Sequence, residues 1–138
     1  MRTLIADDEY ISRRIMQEMV KGFGEVESVA SGDEAVTAVR LALEESRPFD
    51  LILLDIEMPG MDGHQALRAI RVEESRRSLV GRKAAKVIMT TVRNDPESVF
   101  AAFRDQCEAY LIKPVMKEAL LQNLVHLKLM APPVIDLG

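Results

Sequence analysis

Short apolar runs alternate five times with longer segments of helical periodicity, and this alternation constrains the fold more than any other feature of the sequence. Strands that alternate with helices pair in parallel through right-handed crossover connections. The sequence therefore predicts an α/β fold, a doubly wound sheet of five parallel strands. The aliphatic run 51–54 is typical of a central strand that is covered on both faces. The five predicted strands are residues 3–6, 26–30, 51–54, 87–91 and 109–112.

The spacing of apolar side chains predicts which face of each helix is buried. Two helix starts are also marked by side chains that can cap the helix. Ser31 and Glu34 fit the S-x-x-E capping box, and Asp95 is followed by Pro96 in the first turn. The predicted buried stripes are Ile11, Ile15, Met16 and Met19 in the first helix and Val99, Phe100 and Phe103 in the fourth.

The composition favours one globular domain. The chain has 138 residues, of which 48% are hydrophobic and 29% charged, and it has no apolar stretch of about 20 residues that could span a membrane. A cytoplasmic location is therefore expected.

A single cysteine, Cys107, excludes an internal disulfide and is interpreted as a core residue. We expect the domain to cover residues 1–130 and residues 131–138, which contain two prolines, to be a tail or a truncated linker.

The charge distribution argues against nucleic acid as the main partner. The net charge is −4 and the pI is near 5.3, whereas proteins that bind a phosphate backbone are usually basic. A local basic cluster runs against this balance, and we interpret it as the solvated faces of helices and loops. The cluster consists of Arg68, Arg71, Arg76, Arg77, Arg82, Lys83 and Lys86.

Polar residues follow the predicted strands at the edge where parallel sheets bind ligands. Asp7 and Asp8 end the first strand, Asp55 the third, Thr91 the fourth and Lys113 the fifth. Each alone would be read as a helix cap or a turn residue, but their combination is specific. Three converging carboxylates repel one another unless cations intervene, and one lysine with a hard divalent cation relieves this repulsion. Mg²⁺ fits best because it needs few carboxylates and keeps several waters.

At these positions the sequence resembles the receiver domains of bacterial response regulators. The resemblance rests on Asp7-Asp8, residues 55–63 (DIEMPGMDG), Thr91 and Lys113-Pro114, and it extends over about residues 1–130. It implies the flavodoxin-like (βα)5 arrangement with strand order 2-1-3-4-5.

The resemblance also implies roles for the acidic residues. Asp55 would be the phosphoacceptor, with Mg²⁺ bound beside it as the cofactor. Asp8 would bind the metal directly and Asp7 through a water molecule, and the backbone carbonyl of Glu57 would supply a further ligand.

Other matched positions imply how a phosphoryl group would act as a switch. Thr91 would hydrogen-bond a phosphoryl oxygen, and Lys113 would pair with the phosphate. The Lys113–Pro114 peptide bond is expected to be cis. Tyr110 matches an aromatic switch position. Movement of Thr91 and Tyr110 would reshape the face formed by the fourth helix, the fifth strand and the fifth helix.

The chain departs from the family pattern at several positions. Val92 stands where Ala or Gly is common, and Gln106-Cys107 stands where Gly-Ala is usual. Glu57 and Arg93 carry opposite charges on neighbouring loops. We expect them to pair across the entrance of the site and, with Val92, to lengthen the lifetime of the phosphoryl group.

The resulting hypothesis is a phosphorylation-dependent switch in two-component phosphorelay signalling. The expected partners are a sensor histidine kinase or phosphotransfer protein and a downstream protein target. The chain is expected to be a monomer or weak dimer that binds neither nucleic acid nor membrane, and a phosphoacceptor that assists its own phosphorylation and dephosphorylation rather than an enzyme.

Three alternatives remain open. The chain could be the receiver segment of a larger regulator whose output domain is missing. A phosphatase with Asp55 as nucleophile is disfavoured because Glu57 stands where haloacid-dehalogenase-like phosphatases have a second aspartate. A flavodoxin-like cofactor binder is disfavoured because Asp7 and Asp8 follow the first strand instead of a loop of Ser, Thr and Gly.

Overall fold

The computed structural model describes residues 1–132, so most of the predicted tail, residues 133–138, lies outside the described residues. Five strands alternate with five helices, which confirms the predicted α/β fold. The strands are β1 (Thr3–Ala6), β2 (Val26–Val29), β3 (Leu51–Asp55), β4 (Lys86–Thr91) and β5 (Ala109–Ile112). The helices are α1 (Tyr10–Val20), α2 (Gly32–Glu44), α3 (Gly63–Ser75), α4 (Pro96–Arg104) and α5 (Lys117–His126).

The strands form one parallel sheet in the order β2-β1-β3-β4-β5, as the resemblance implies. β3 lies in the centre, and all five of its residues are buried. This burial on both faces explains its unbroken aliphatic sequence. Because all strands run in the same direction, the residues that end β1, β3, β4 and β5 meet at one edge of the sheet.

Side chains alternate between the two faces of the sheet and form two cores. On one face Ile52 and Leu54 pack with residues of α2 and α3. On the other face Leu51 and Leu53 pack with residues of α1 and α5. The central strands, whose carboxyl ends lead to the polar residues, are therefore packed on both faces.

The predicted buried face of α4 is wrong at its two phenylalanines, while Val99 is half-buried. Phe100 is 71% exposed and Phe103 is 48% exposed, whereas Ser98 and Ala102, one turn apart, are buried. Small side chains on the inner face let the helix lie close to its neighbours. Helical spacing alone does not distinguish this face from the larger apolar stripe beside it.

The predicted stripe of α1 is only partly correct. Met16 is buried, but Ile11 is 72% exposed and Ile15 is 50% exposed. Val20, four residues after Met16, completes the buried face instead. The buried residues of α1 thus lie in the C-terminal half of the helix and not along the whole predicted stripe.

The helix starts follow the predicted pattern with one difference. Asp95 accepts a hydrogen bond from the backbone N–H of Ser98, as expected of an N-cap. Ser31 accepts one from the backbone N–H of Glu34 at 3.2 Å, but the Glu34 carboxylate accepts from the Ser31 hydroxyl, so the capping box is only half formed. A complete box begins α3.

Arg71 does not lie on a solvated face, which corrects our interpretation of the basic cluster at this position. Its guanidinium donates to Glu74 at 2.7 Å, to Glu108 at 3.0 Å and to the backbone carbonyl of Gln106 at 2.6 Å. Glu74 is 3% exposed and accepts the backbone N–H of Ala85. These contacts join the end of α3 to the segments that enter β4 and β5.

Cys107 is buried, as predicted, and burial raises the pKa of its thiol to about 12. The preceding Gln106 has φ 74°, a left-handed conformation that explains why glycine is usual at this position. Among residues 1–132, no helix is long and apolar enough to cross a bilayer.

Candidate functional site

The structure brings the predicted polar residues together at the carboxyl edge of the sheet. Asp7 and Asp8 follow β1, and Asp55 is the last residue of β3. Asp7 is fully buried and Asp55 is 4% exposed, whereas Asp8 faces solvent. The acidic cluster therefore runs from a fully buried carboxylate to one that is open to solvent.

Lys113, just after β5, supplies the opposite charge. Its Nζ donates to Oδ2 of Asp7 at 2.9 Å and to Oδ2 of Asp55 at 3.1 Å. Burial alone would lower the pKa of Lys113, but the two carboxylates outweigh burial and raise the pKa above its ordinary value. Lys113 thus stays protonated and points between the two buried aspartates. The Lys113–Pro114 peptide bond is cis, as expected.

Asp55 is held in an environment that disfavours its negative charge. Burial raises the pKa of Asp55 to about 6, although Lys113 and the backbone N–H of Glu57 act in the opposite direction. The N–H of Glu57 donates to Oδ1 of Asp55 at 3.1 Å. A bound cation would act in the same direction as Lys113 and favour the ionised form.

The acidic cluster has the donor chemistry of a site for a hard divalent cation. Asp7, Asp8 and Asp55 each offer a carboxylate oxygen, and these oxygens lie within 4.8 Å of one another. Carboxylate oxygens in a partly open cleft suit Mg²⁺, which keeps some of its waters. A cavity of about 190 Å³ opens at this cluster. It is lined by Asp8, Glu9, Asp55, Glu57, Val92 and Lys113.

The backbone of Arg93 links Thr91 to Tyr110. Thr91 is fully buried, and its hydroxyl oxygen accepts the backbone N–H of Arg93 at 3.2 Å. The hydroxyl of Tyr110 donates to the backbone carbonyl of Arg93 at 2.7 Å. A displacement of Thr91 would therefore reach Tyr110 through a single residue.

The expected pair at the entrance is present but shared. Nε of Arg93 lies 3.8 Å from Glu57 and 3.3 Å from Asp95, and all three side chains are about half exposed. Val92 is 62% exposed beside them. Arg93 thus bridges two carboxylates, of which sequence reasoning identified only Glu57.

Sequence reasoning also missed two residues that hold Asp7. The Ser12 hydroxyl donates to Oδ2 of Asp7 at 2.6 Å, and the Arg13 guanidinium donates to the Asp7 backbone carbonyl at 2.7 Å. Their spacing from Asp7 could have indicated this role, because it places both residues in the first turn of the helix that follows Asp7.

The family model for the response regulator receiver domain matches residues 3–125, the region that contains the whole sheet and this site. The chain belongs to this family. The match agrees with the resemblance noted from the sequence, and it assigns the chain to the receiver domains of two-component signalling systems.

The relatives of this receiver domain include short and long proteins. The chemotaxis protein CheY of Pseudomonas aeruginosa is 30% identical and aligns over 90% of this chain and 93% of its own length. The sensor protein GacS of Pseudomonas syringae pv. syringae is 34% identical over 88% of this chain, but the chain spans only 13% of GacS.

Solved structures of receiver domains superpose on this one. The receiver domain of the histidine kinase CKI1 from Arabidopsis thaliana, complexed with Mg²⁺ and BeF₃⁻, has a TM-score of 0.77 and 29% identity, covering 91% of this chain and 89% of that one. Chemotaxis protein CheY4 of Vibrio cholerae has a TM-score of 0.75 and 27% identity, covering 91% and 97%.

Proposed function

We propose that this receiver domain accepts a phosphoryl group on Asp55 and transmits its presence through the face formed by α4, β5 and α5. The observation that carries the proposal is the position of Asp55. It is buried, 3.1 Å from Lys113, and its carboxylate oxygen lies within 4.8 Å of those of Asp7 and Asp8. A buried carboxylate thus lies beside both a lysine ammonium group and two further carboxylates that could bind a metal ion.

The transfer needs little beyond positioning and charge stabilisation. An oxygen of Asp55 attacks phosphorus, and the bond to the leaving group breaks so that its electron pair leaves with that group. Bound Mg²⁺ would neutralise charge on the phosphoryl oxygens. Lys113 is placed to pair with a phosphoryl oxygen, and the buried floor formed by Asp7 excludes bulk water.

The donor in this proposal is the phosphohistidine of a sensor histidine kinase or a phosphotransfer protein. Similarity to GacS and to the receiver domain of the kinase CKI1 supports such a partner. A downstream protein would read the changed face. The short relative CheY and the long relative GacS support a separate chain and a segment of a larger regulator equally.

The proposal is tested by intact mass after incubation with acetyl phosphate. We expect one stable phosphoryl adduct in the presence of Mg²⁺ and almost none with a chelator. Rapid release of inorganic phosphate without an adduct would favour the phosphatase alternative. An adduct that forms equally well with the chelator would contradict the metal site.

Thr91→Ala should separate phosphorylation from its structural consequence. The variant keeps Asp55 and Lys113 and should still form the adduct, but it lacks the hydroxyl that contacts the Arg93 peptide. Moving a switch from 1:99 to 99:1 requires about 5.5 kcal/mol of differential binding, and a hydrogen bond from Thr91 to the phosphoryl group would supply part of it.

The measurement for this variant is the change of backbone amide shifts in α4 and β5 on phosphorylation. We expect a smaller change in Thr91→Ala than in the wild type, and Thr91→Ser, which keeps a hydroxyl, should restore it. Equal changes in all three proteins would refute the coupling.

Glu57→Ala combined with Arg93→Ala should shorten the lifetime of the phosphoryl group several-fold. Hydrolysis needs a water in line behind phosphorus, and these side chains stand at the entrance with Val92 beside them. Each single change should do less, because Asp95 still holds Arg93 when Glu57 is absent. The exposed ion pair itself contributes only about 0–1 kcal/mol to stability, so folding should be unaffected.

The lifetime is measured by the decay of the adduct after the donor is removed. Arg104→Ala, which removes an exposed arginine of α4 away from the entrance, is the control and should leave the lifetime unchanged. An unchanged or longer lifetime in the double variant would remove support for a gate at this position.

A further inference from the structure

Asp7 is held by more donors than any other carboxylate of the site. Its Oδ1 accepts the backbone N–H of Glu9 at 2.9 Å, and its Oδ2 accepts both the Ser12 hydroxyl at 2.6 Å and Lys113 Nζ at 2.9 Å. Asp7 is fully buried, so these contacts replace the waters that a free carboxylate would bind.

The two side-chain donors differ in what they are free to do. Lys113 is shared with Asp55, and in the proposed function it pairs with the incoming phosphoryl group. Ser12 is neutral and lies in the first turn of α1, where the helix fixes its position. When Lys113 turns to the phosphoryl group, Ser12 is the side-chain donor that remains on Asp7.

We propose that Ser12 is a positioning residue that holds the Asp7 carboxylate in the orientation needed to bind the metal. This inference rests on the proposed function and deepens it. Residues that hydrogen-bond metal-binding carboxylates commonly change metal affinity by about 10–100-fold when they are removed. Ser12 thus sets the Mg²⁺ concentration at which the site fills, without touching the phosphoryl group.

A matched pair of substitutions isolates the hydroxyl. Ser12→Thr and Ser12→Val have nearly the same shape, and both place a branched side chain at the same half-buried position of α1, so any effect on folding is shared. Only the threonine variant can still donate to Oδ2 of Asp7.

The first measurement is a Mg²⁺ titration of the unphosphorylated protein, followed by backbone amide shifts. We expect Ser12→Thr to bind Mg²⁺ within a few-fold of the wild type and Ser12→Val to bind it about 10-fold or more weakly. Equal affinities of the two variants would overturn the inference.

The second measurement is the rate of adduct formation with acetyl phosphate as a function of Mg²⁺ concentration. In Ser12→Val the half-saturating concentration should rise while the rate at saturating Mg²⁺ stays close to that of Ser12→Thr. A lower saturated rate with unchanged half-saturation would indicate a role other than metal positioning and would also overturn the inference. Failure of the wild type to bind Mg²⁺ would instead contradict the proposed function itself.

Discussion

Asp55→Ala and Asp55→Asn should abolish the phosphoryl adduct that the wild type forms with acetyl phosphate and Mg²⁺. These variants lack the carboxylate that we propose as the nucleophile, so we expect adduct formation to fall at least about 100-fold. Intact mass and peptide mapping measure the effect. Adduct at the wild-type level in either variant would show that the phosphoacceptor has been misassigned.

Loss of the adduct is informative only if the variants fold. For Asp55→Asn, the structure predicts a folded protein that is more stable than the wild type. Because burial raises the pKa of Asp55 to about 6, ionising it in the folded protein costs about 3 kcal/mol more than in the unfolded chain. Without Mg²⁺, Asp55→Asn should therefore be more stable than the wild type at neutral pH, by up to that amount.

The stability difference between the wild type and Asp55→Asn should depend on pH in a predictable direction. Between about pH 4 and about pH 6 the folded wild type binds more protons at Asp55 than the unfolded chain does, so its stability falls as the pH rises through this range. Asp55→Asn lacks this contribution. The difference in stability between the two proteins should vanish near pH 4 and be complete above pH 6, as measured by urea unfolding.

Asp33→Asn, at an exposed position of α2, is the control for adduct formation and should be labelled like the wild type.

Arg71→Met should lower the free energy of unfolding by about 3 kcal/mol, because it leaves Glu74 and Glu108 without their shared cation. Glu74 is 3% exposed and cannot be rehydrated without opening the structure. Burial already raises the pKa of Glu108, and loss of the guanidinium should raise it further. The backbone carbonyl of Gln106, in its left-handed conformation, would lose its donor as well.

Urea unfolding measures this effect, and the residue that follows α3 provides a control. Arg76 is exposed and lies 3.4 Å from Glu73, so Arg76→Met should change stability by no more than about 0.5 kcal/mol. Equal losses in the two variants would show that Arg71 contributes no more than a surface ion pair. Since Arg71 lies near the starts of β4 and β5, the folded fraction of Arg71→Met should still accept the phosphoryl group at Asp55.

The sequence by itself determined the secondary structure and the edge at which the chemistry lies. Alternating apolar runs and helical periods predicted all five strands within about a residue at each end. Parallel pairing then required Asp7, Asp55, Thr91 and Lys113 to meet at one edge. The strand order came from the resemblance to receiver domains, because local periodicity does not specify which strands are neighbours.

Only the tertiary structure decided which of several apolar stripes is buried and which polar groups meet. Phe100 and Phe103 satisfy the helical spacing of a buried face, but the packing of α4 against distant segments buries Ser98 and Ala102 instead. Arg71 belongs to a run of basic residues, yet its partner Glu108 lies 37 positions away. Spacing along a chain records local geometry, whereas burial and hydrogen bonding depend on what distant segments place alongside.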